Sequence, residues 1–340
     1  MTVQVSDSDL AWARERLAEH LPSARIEGVH SVTSRLARLH RITVIGEGGR
    51  RTRYYLKRCE AERLDRWPEQ MTHLAAVANA IDGTDGLLRF RMVAADAAQG
   101  LLLTAEVPGR PLSSLHRPSI VRRSARRAAW EGWRGAGRWL GRLHTDAMPP
   151  SPSTSRAPEM AQDVSALLGR LGAEDPSQAA LAAEAVRAAT DVLRMLDGRP
   201  VPVGLCHGDV TAGNIIVHGA AVGLVDLDDL RMDMPGLDWS QALLAMDEFG
   251  HVGWSGPGVG IAEWSAAFAE GYRRPRPIGP EFWLPHLRNL AVYLVTLSRQ
   301  LRGVSLGRLA VEFRYRRLLR ELWTTINAVA HAPSSGRPGS

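Results

Sequence analysis

Apolar side chains recur at helical spacing over residues 8–20, with Leu10, Ala13, Leu17 and Ala18 on one side and Ser6 or Asp7 ahead of them as an N-cap. Two strand-like segments follow, Leu36 to Ile45 and Arg53 to Cys59, and the glycine-rich turn GEGGRR between them predicts a hairpin. A helix is expected from about Glu69 to Ala80, where Met71, Leu74, Val77 and Ala78 share a face. Two more strands, Leu88 to Ala94 and Leu101 to Glu106, end at Val107-Pro108-Gly109, a turn that breaks the sheet. Residues 1–105 thus read as a small, mostly antiparallel α+β unit.

Beyond Pro111 the period changes to that of a helix. A long amphipathic run, 119–145, ends in WLGRLHTD, and helical stretches return at 160–172 and 177–196. Between them MPPSPSTSRAP, 148–158, has the Pro and Ser content of an exposed, mobile connection. Short strands crowd into 203–226, helices resume to about 330, and 332–340 reads as a disordered tail. The expected fold is therefore α+β and bilobal. A β-rich lobe, 1–105, joins by one hinge to a mostly helical lobe, 106–331, with a cleft between them.

A chain of 340 residues, 45% hydrophobic and 23% charged, has core enough for two packed lobes. Its net charge of +6 is dispersed, and the basic stretches lack interleaved aromatics, so nucleic acid is not an expected partner. Two cysteines, Cys59 and Cys206, build no disulfide framework, and neither belongs to a CxxC pair. The N-terminal stretch mixes Asp, Glu and Arg where a signal peptide would be apolar, and no apolar run is long enough for a bilayer. A cytoplasmic protein with no membrane partner is the expectation. Of the 42 basic residues only Lys57 is lysine. It sits in YYLKRC, which excludes the Gly-Lys-Ser/Thr step of a Walker loop.

The densest polar constellation lies in 203–226. Asp209 is followed five residues later by Asn214, and Asp226 stands twelve further on, after the apolar strand VGLV. Phosphoryl transfer uses that spacing: a carboxylate takes or orients the proton of an attacking hydroxyl, while a carboxamide oxygen and a second carboxylate hold Mg²⁺ against the donor phosphates. A polar turn with an accidental Asp/Asn pair would look the same. Lys57 tilts the balance, because a lysine on the third strand of a small lobe pairs with α- and β-phosphates and is held by a Glu of the next helix. Glu69 opens that helix, with Glu62 as competitor. An ammonium meets phosphate as a point charge where a guanidinium imposes its fork, which gives a reason to keep one Lys among Arg. A chance surface Lys is the plainer alternative, and a pyridoxal Schiff base would leave Asp209, Asn214 and Asp226 unexplained.

Other motifs carry less. Gly303-Val-Ser305-Leu-Gly307 matches a nucleophile elbow without the strand it needs, and Gly256-Pro-Gly258-Val-Gly260 reads as a loop. His207 is expected to bond backbone near the loop, His144 to face the loop from a helix end, and Cys206 to be a small buried residue on a strand.

CHGDVTAGNIIV followed by VGLVDLDDL, with Asp238 in PGLDWS, resembles the aminoglycoside phosphotransferase and choline-kinase-like superfamily, a relative of protein kinases. YYLKRC, LLLTAEVPGRPL and WLGRLH fit in order, so the resemblance spans roughly residues 30–245. It implies a protein-kinase-like fold, a nucleoside triphosphate donor (ATP, or GTP) with Mg²⁺, and a small-molecule hydroxyl acceptor. By the same resemblance Asp209 orients the acceptor hydroxyl, Asn214 and Asp226 bind Mg²⁺, and Lys57 grips the donor phosphates. Thr104, Glu106 and Val107 would line the adenine pocket through backbone groups. His207-Gly208-Asp209 in place of His-Arg-Asp, and no Ala-Pro-Glu segment, point away from protein kinases. The loop Ser31-Val32-Thr33-Ser34 has no glycine, so phosphate cover falls to backbone and hydroxyl groups of Ser31, Thr33 and Ser34, which leaves ATP and GTP open. The implied acceptors are an aminoglycoside-like antibiotic, another natural product, a sugar or a nucleoside. From 231 onward 13 Arg face 9 acids, a balance that favours a neutral or anionic acceptor over a polycation. The alternative of a different class is a catalytically silent kinase-like nucleotide-binding module, against which the complete set of Lys57, Asp209, Asn214 and Asp226 argues.

Overall fold

In the computed structural model the structure describes residues 6–33, 38–59, 61–81, 83–115, 123–250, 261–274, 277, 279–302 and 308–332. The first helix, α1 (Asp7–His20), starts at Ser6, whose hydroxyl accepts from the Asp9 amide while the Asp9 carboxylate accepts from the Ser6 amide. That reciprocal capping box satisfies two of the donors a helix start leaves over. Strands β1 (Arg25–Thr33), β2 (Arg38–Ile45), β3 (Arg51–Arg58), β4 (Met92–Asp96) and β5 (Leu101–Ala105) form an antiparallel sheet ordered β1-β2-β3-β5-β4. Strand β1 was not read from the sequence. A bulge between Ile26 and Gly28 shifts its register and breaks the alternation that would have marked it. The expected start of β4 at Leu88 also moves, since the Leu88 amide donates to Val222 of the other lobe. Helix α2 (Trp67–Ala80) packs on this region with Trp67, Leu74 and Val77 buried.

The remainder is mostly helical: α3 (Arg123–Arg142), α4 (Arg156–Glu174), α5 (Ala179–Leu196), α6 (Gly236–Gly250), α7 (Ile261–Tyr272), α8 (Pro280–Arg302) and α9 (Arg308–Ala330). Two small antiparallel sheets lie among them. One runs β10-β9-β6, from Ala221–Leu224, Ile215–His218 and Arg110–Pro111. The other runs β11-β8-β7, from Arg231–Asp233, Val201–Cys206 and Ser151–Ser153. Residues 148–158, read as an exposed mobile connection, are largely exposed; within them Ser151 to Ser153 pair with Val201 to Val203, and α4 starts at Arg156. Proline there is compatible with an edge strand, which is where β7 sits. Residues 333–340, Ser34 and the glycine motifs at 256–260 and 303–307 lie outside the described residues.

One apolar cluster spans the two regions. Leu74 and Val77 of α2 join Trp133, Trp139 and Leu140 of α3 and Leu205, Ile215 and Leu224 of the small sheets. A second is built by α4, α5, α8 and α9, and a third lies between α1 and the outer face of the large sheet. No helix among the described residues is long and apolar enough to cross a membrane. The expected α+β organisation, with an antiparallel N-terminal region and a helical remainder, is the one observed.

Candidate active site

Strand β8 delivers the chain into the loop 207–214 as a buried run ending at Cys206, and α6 holds that loop from beneath. Asp238, in the first turn of α6, accepts from the His207 amide at 2.7 Å and the Gly208 amide at 2.9 Å. Gln241, one turn on, accepts from the Val210 amide at 3.0 Å and donates to the Gly208 carbonyl at 2.5 Å. Gly208 is required by this wrapping: its φ is +83°, and a Cβ there would lie 2.4 Å from the Asp229 carbonyl oxygen. A π-helical turn, Leu143–Ala147, closes α3 and carries His144 inward, where it bonds Asp238 at 2.9 Å and the Tyr272 hydroxyl at 2.7 Å. Burial pushes the Asp238 carboxyl up, but His144, His207 and the loop amides outweigh it and hold it below its ordinary value.

His144, Cys206 and Asp238 bring metal-type ligand atoms within 4.8 Å of one another. Their chemistry is nevertheless that of a hydrogen-bonded support. Both His144 nitrogens and both Asp238 oxygens are engaged, and Cys206, whose thiol burial pushes far up, donates to the Asp233 carbonyl at 3.4 Å. Cys206 is buried on its strand and the His207 ring bonds the Val225 carbonyl at 3.1 Å, as the sequence reading expected.

The loop presents Asp209 and Asn214 together. Asn214 Nδ2 donates to the Asp209 carboxylate at 2.8 Å and to its carbonyl at 3.0 Å. Burial pushes the Asp209 carboxyl above its ordinary value; His207 and the Asn214 bond act against that shift, and Asp226 and Asp229 with it. The Val225 amide donates to the Asn214 carbonyl at 2.9 Å, which sets Asp226 immediately beside the loop. Asp226 takes a left-handed conformation, φ +62°, and its side chain is 51% exposed to the cleft. With the Asn214 nitrogen committed to Asp209, its carboxamide oxygen and the Asp226 carboxylate remain as hard oxygen donors, the set that fits Mg²⁺.

Across the cleft Lys57 is only 13% exposed, and its Nζ donates to Asp228 and, at 3.3 Å, to Asp226. The structure thus brings Lys57, Asp209, Asn214 and Asp226 to one cleft. It does not bring Glu69 to Lys57. The Glu69 side chain is 70% exposed and its nearest ion-pair partner is His73, at 3.9 Å. One helical residue step, about 100°, turns Glu69 outward and Gln70 inward. Buried Gln70 donates to the Leu227 carbonyl and so ties α2 to the Asp226 turn. Glu62 lies outside the described side chains. Gln70 was missed, although its phase with Trp67, Leu74 and Val77 marks it as a polar residue in an apolar stripe. Asp228 was missed because nothing in sequence separates it from its neighbours Asp226 and Asp229.

Ser31 sits in β1 with its hydroxyl 3.3 Å from His40 Nδ1, Thr33 ends that strand, and Ser34 is outside the description. Thr104 pairs with Tyr55 on β3, the Glu106 amide donates to the Arg53 carbonyl at 2.9 Å, and Glu106 leads into the Val107-Pro108 turn. Beside the loop 207–214 a cavity of about 380 Å³ is lined by Ser113, Thr211, Gly213, Glu248, Tyr293 and Arg314, with Arg317 at its side. Arg314 meets Glu248 at 2.8 Å and Arg317, 11% exposed, meets Asp247. Burial lowers Arg317 to about 10, and burial with the charges of Asp209 and Glu248 pushes the Tyr293 hydroxyl up to about 12.

A sheet carrying an inward lysine over an Asp–Asn loop braced by a helical lobe belongs to the protein-kinase-like phosphotransferases. Residues 38–286, more than half of the chain, match the model of the phosphotransferase enzyme family, and the chain belongs to that family. Among solved structures it is similar to an amicoumacin kinase in complex with AMP-PNP, Ca²⁺ and Ami, at 15% identity and TM-score 0.57, covering 98% of this chain and 96% of that one. It is also similar to a choline/ethanolamine kinase family protein from Mesorhizobium loti (17% identity, TM-score 0.53, 94% and 99% covered). A Plasmodium vivax ethanolamine kinase gives 11% identity and TM-score 0.54, with 95% and 93% covered. These likenesses establish the fold. No curated protein matches the chain.

Proposed function

We propose that the protein is a small-molecule kinase that transfers the γ-phosphoryl group of a purine nucleoside triphosphate, ATP or GTP, to an alcohol. The observation that carries this is the convergence of Lys57 and Asp226 across the cleft, beside an Asp209 carboxylate oriented by Asn214. In this reading the acceptor hydroxyl lies against Asp209, which takes its proton as the oxygen bonds to phosphorus and the nucleoside diphosphate leaves. The upward shift of Asp209 suits that task, because a stronger base receives a proton more readily. Lys57 binds the donor phosphates, and the oxygens of Asn214 and Asp226 would hold Mg²⁺. When bound, that ion neutralises phosphate charge. Positioning and charge stabilisation then supply most of the rate.

The cavity beside Thr211 and Gly213 is the acceptor site in this reading. Its two arginines are matched by Glu248 and Asp247, so among the described residues its wall carries no surplus of carboxylates for a polycation. A neutral, hydroxyl-rich natural product, sugar or nucleoside fits that balance. Acceptor-dependent release of nucleoside diphosphate, screened over antibiotics, sugars and nucleosides, tests the reading. Asp209→Ala and Asp226→Ala should each abolish release while remaining folded. Near-normal turnover in either would overturn the assignment, and nucleotide binding without turnover on any acceptor would favour the silent module.

A further inference from the structure

The large sheet has two unlike faces. Ile42, Tyr54, Leu56 and Leu103 point into the apolar cluster under α1. On the opposite face the pairing register lays His30, Arg41, Tyr55 and Thr104 side by side across β1, β2, β3 and β5. Lys57 is two residues along β3 from Tyr55, so it shares this face. The roof over the donor's base, between Lys57 and the hinge, is therefore polar and cationic.

Of that roof His30 and Arg41, with Thr43 and Arg53 beside them, line a cavity of about 570 Å³ that Glu106 and Pro108 close at the hinge end. Glu106 Oε1 accepts from the Tyr55 hydroxyl at 3.2 Å and from Arg53 at 3.4 Å, which fixes the carboxylate at the cavity's edge. Arg41 Nε is buried with no hydrogen-bond partner among the described residues. A buried donor without a partner costs free energy, and it is the cavity-lining part of Arg41 that a ligand would meet.

We infer that this cavity selects a guanine base, with Arg41 donating to its O6/N7 edge and Glu106 accepting from its N1–H and N2 amine. Arginine matches the paired acceptors of guanine, whereas adenine offers N7 beside an amino donor. A carboxylate likewise matches guanine's two adjacent donors and is opposed by the bare N1 of adenine. The inference rests on the phosphotransferase reading only for orientation, triphosphate toward Lys57 and base toward the hinge.

Calorimetric binding of GDP, ADP, IDP and 7-deaza-GDP with Mg²⁺, in the absence of acceptor, tests it. GDP should bind at least about tenfold more tightly than ADP, since one good bidentate base contact discriminates on that order. IDP, which lacks the N2 amine, and 7-deaza-GDP, which lacks N7, should each lose most of the advantage. Arg41→Leu and Glu106→Gln should bring GDP and ADP within about threefold, with circular dichroism verifying the fold. ADP binding as tightly as GDP, analogues equal to GDP, or a ratio unchanged in both variants would overturn the inference. Guanine preference without turnover on any acceptor would leave it standing and overturn the kinase reading instead.

Discussion

Lys57 lies between Asp226 and Asp228, and its compactness is what that position uses. A guanidinium would need two coplanar acceptors and more room than two carboxylates from one tight turn offer. Lys57→Arg should therefore lower kcat/KM by at least about 100-fold, roughly the loss of two charge-assisted bonds, with the melting temperature nearly unchanged. Steady-state kinetics on the acceptor found by screening would check this, and an unchanged rate would make Lys57 a spectator. Lysine as the one exception among the basic residues was visible in the sequence; its partner was not. Glu69 and Gln70 differ by one position, and only the direction of α2 against the Leu227 turn decides which of them points inward. Asp228 shows the same limit, because a strand-to-turn geometry separates it from Asp229.

The pairing of α3 with α7 rests on missing side chains. A Cβ on Gly137 would lie 2.0 Å from the Phe268 carbonyl oxygen, and one on Gly271 would lie 1.8 Å from that of Arg134. Backbone cannot yield as a side chain can, so the two helices would have to separate and unpack Trp133, Trp239 and Phe268. Gly137→Ala should cost about 3 kcal/mol, the upper end of overpacking penalties, read as a lowered urea midpoint. A loss under about 1 kcal/mol would show that the helices can slide apart freely. The amphipathic run of α3 was legible as a helix. The reason for its glycines was not, since close approach is a property of two elements.

For the molecule as a whole, two buried carboxylates tie the parts together. Asp238 anchors the loop to α6 and α3, and Asp233 receives Arg156 at 2.8 Å and Arg231 at 3.0 Å. Burial pushes both carboxyls up, yet their partners win and hold both below the ordinary 3.8. A depressed folded-state value means the unfolded chain takes protons first as pH falls. The stability these groups add is thus complete above about pH 4 and lost as pH drops through the depressed values. Urea midpoints measured from pH 7 to pH 2 should fall steeply below about pH 4. Asp233→Asn should lower the neutral-pH stability by about 3 kcal/mol and flatten that slope. A wild-type profile in the variant would remove Asp233 from the account.

Local chemistry in this chain was readable wherever it depended on spacing along the backbone. The helical periods, the hairpin, the Asp209–Asn214–Asp226 spacing and the isolated Lys57 each lie within one continuous segment of the sequence. What the tertiary structure alone decided is which of these groups meet and with what neighbours. It turned Gln70 inward in place of Glu69, set Asp228 against Lys57, and paired Ser151 to Ser153 as an edge strand. It also laid Arg41 and Tyr55 in one row by strand register. Contacts between residues tens to hundreds of positions apart depend on how elements cross, and no local period records that geometry.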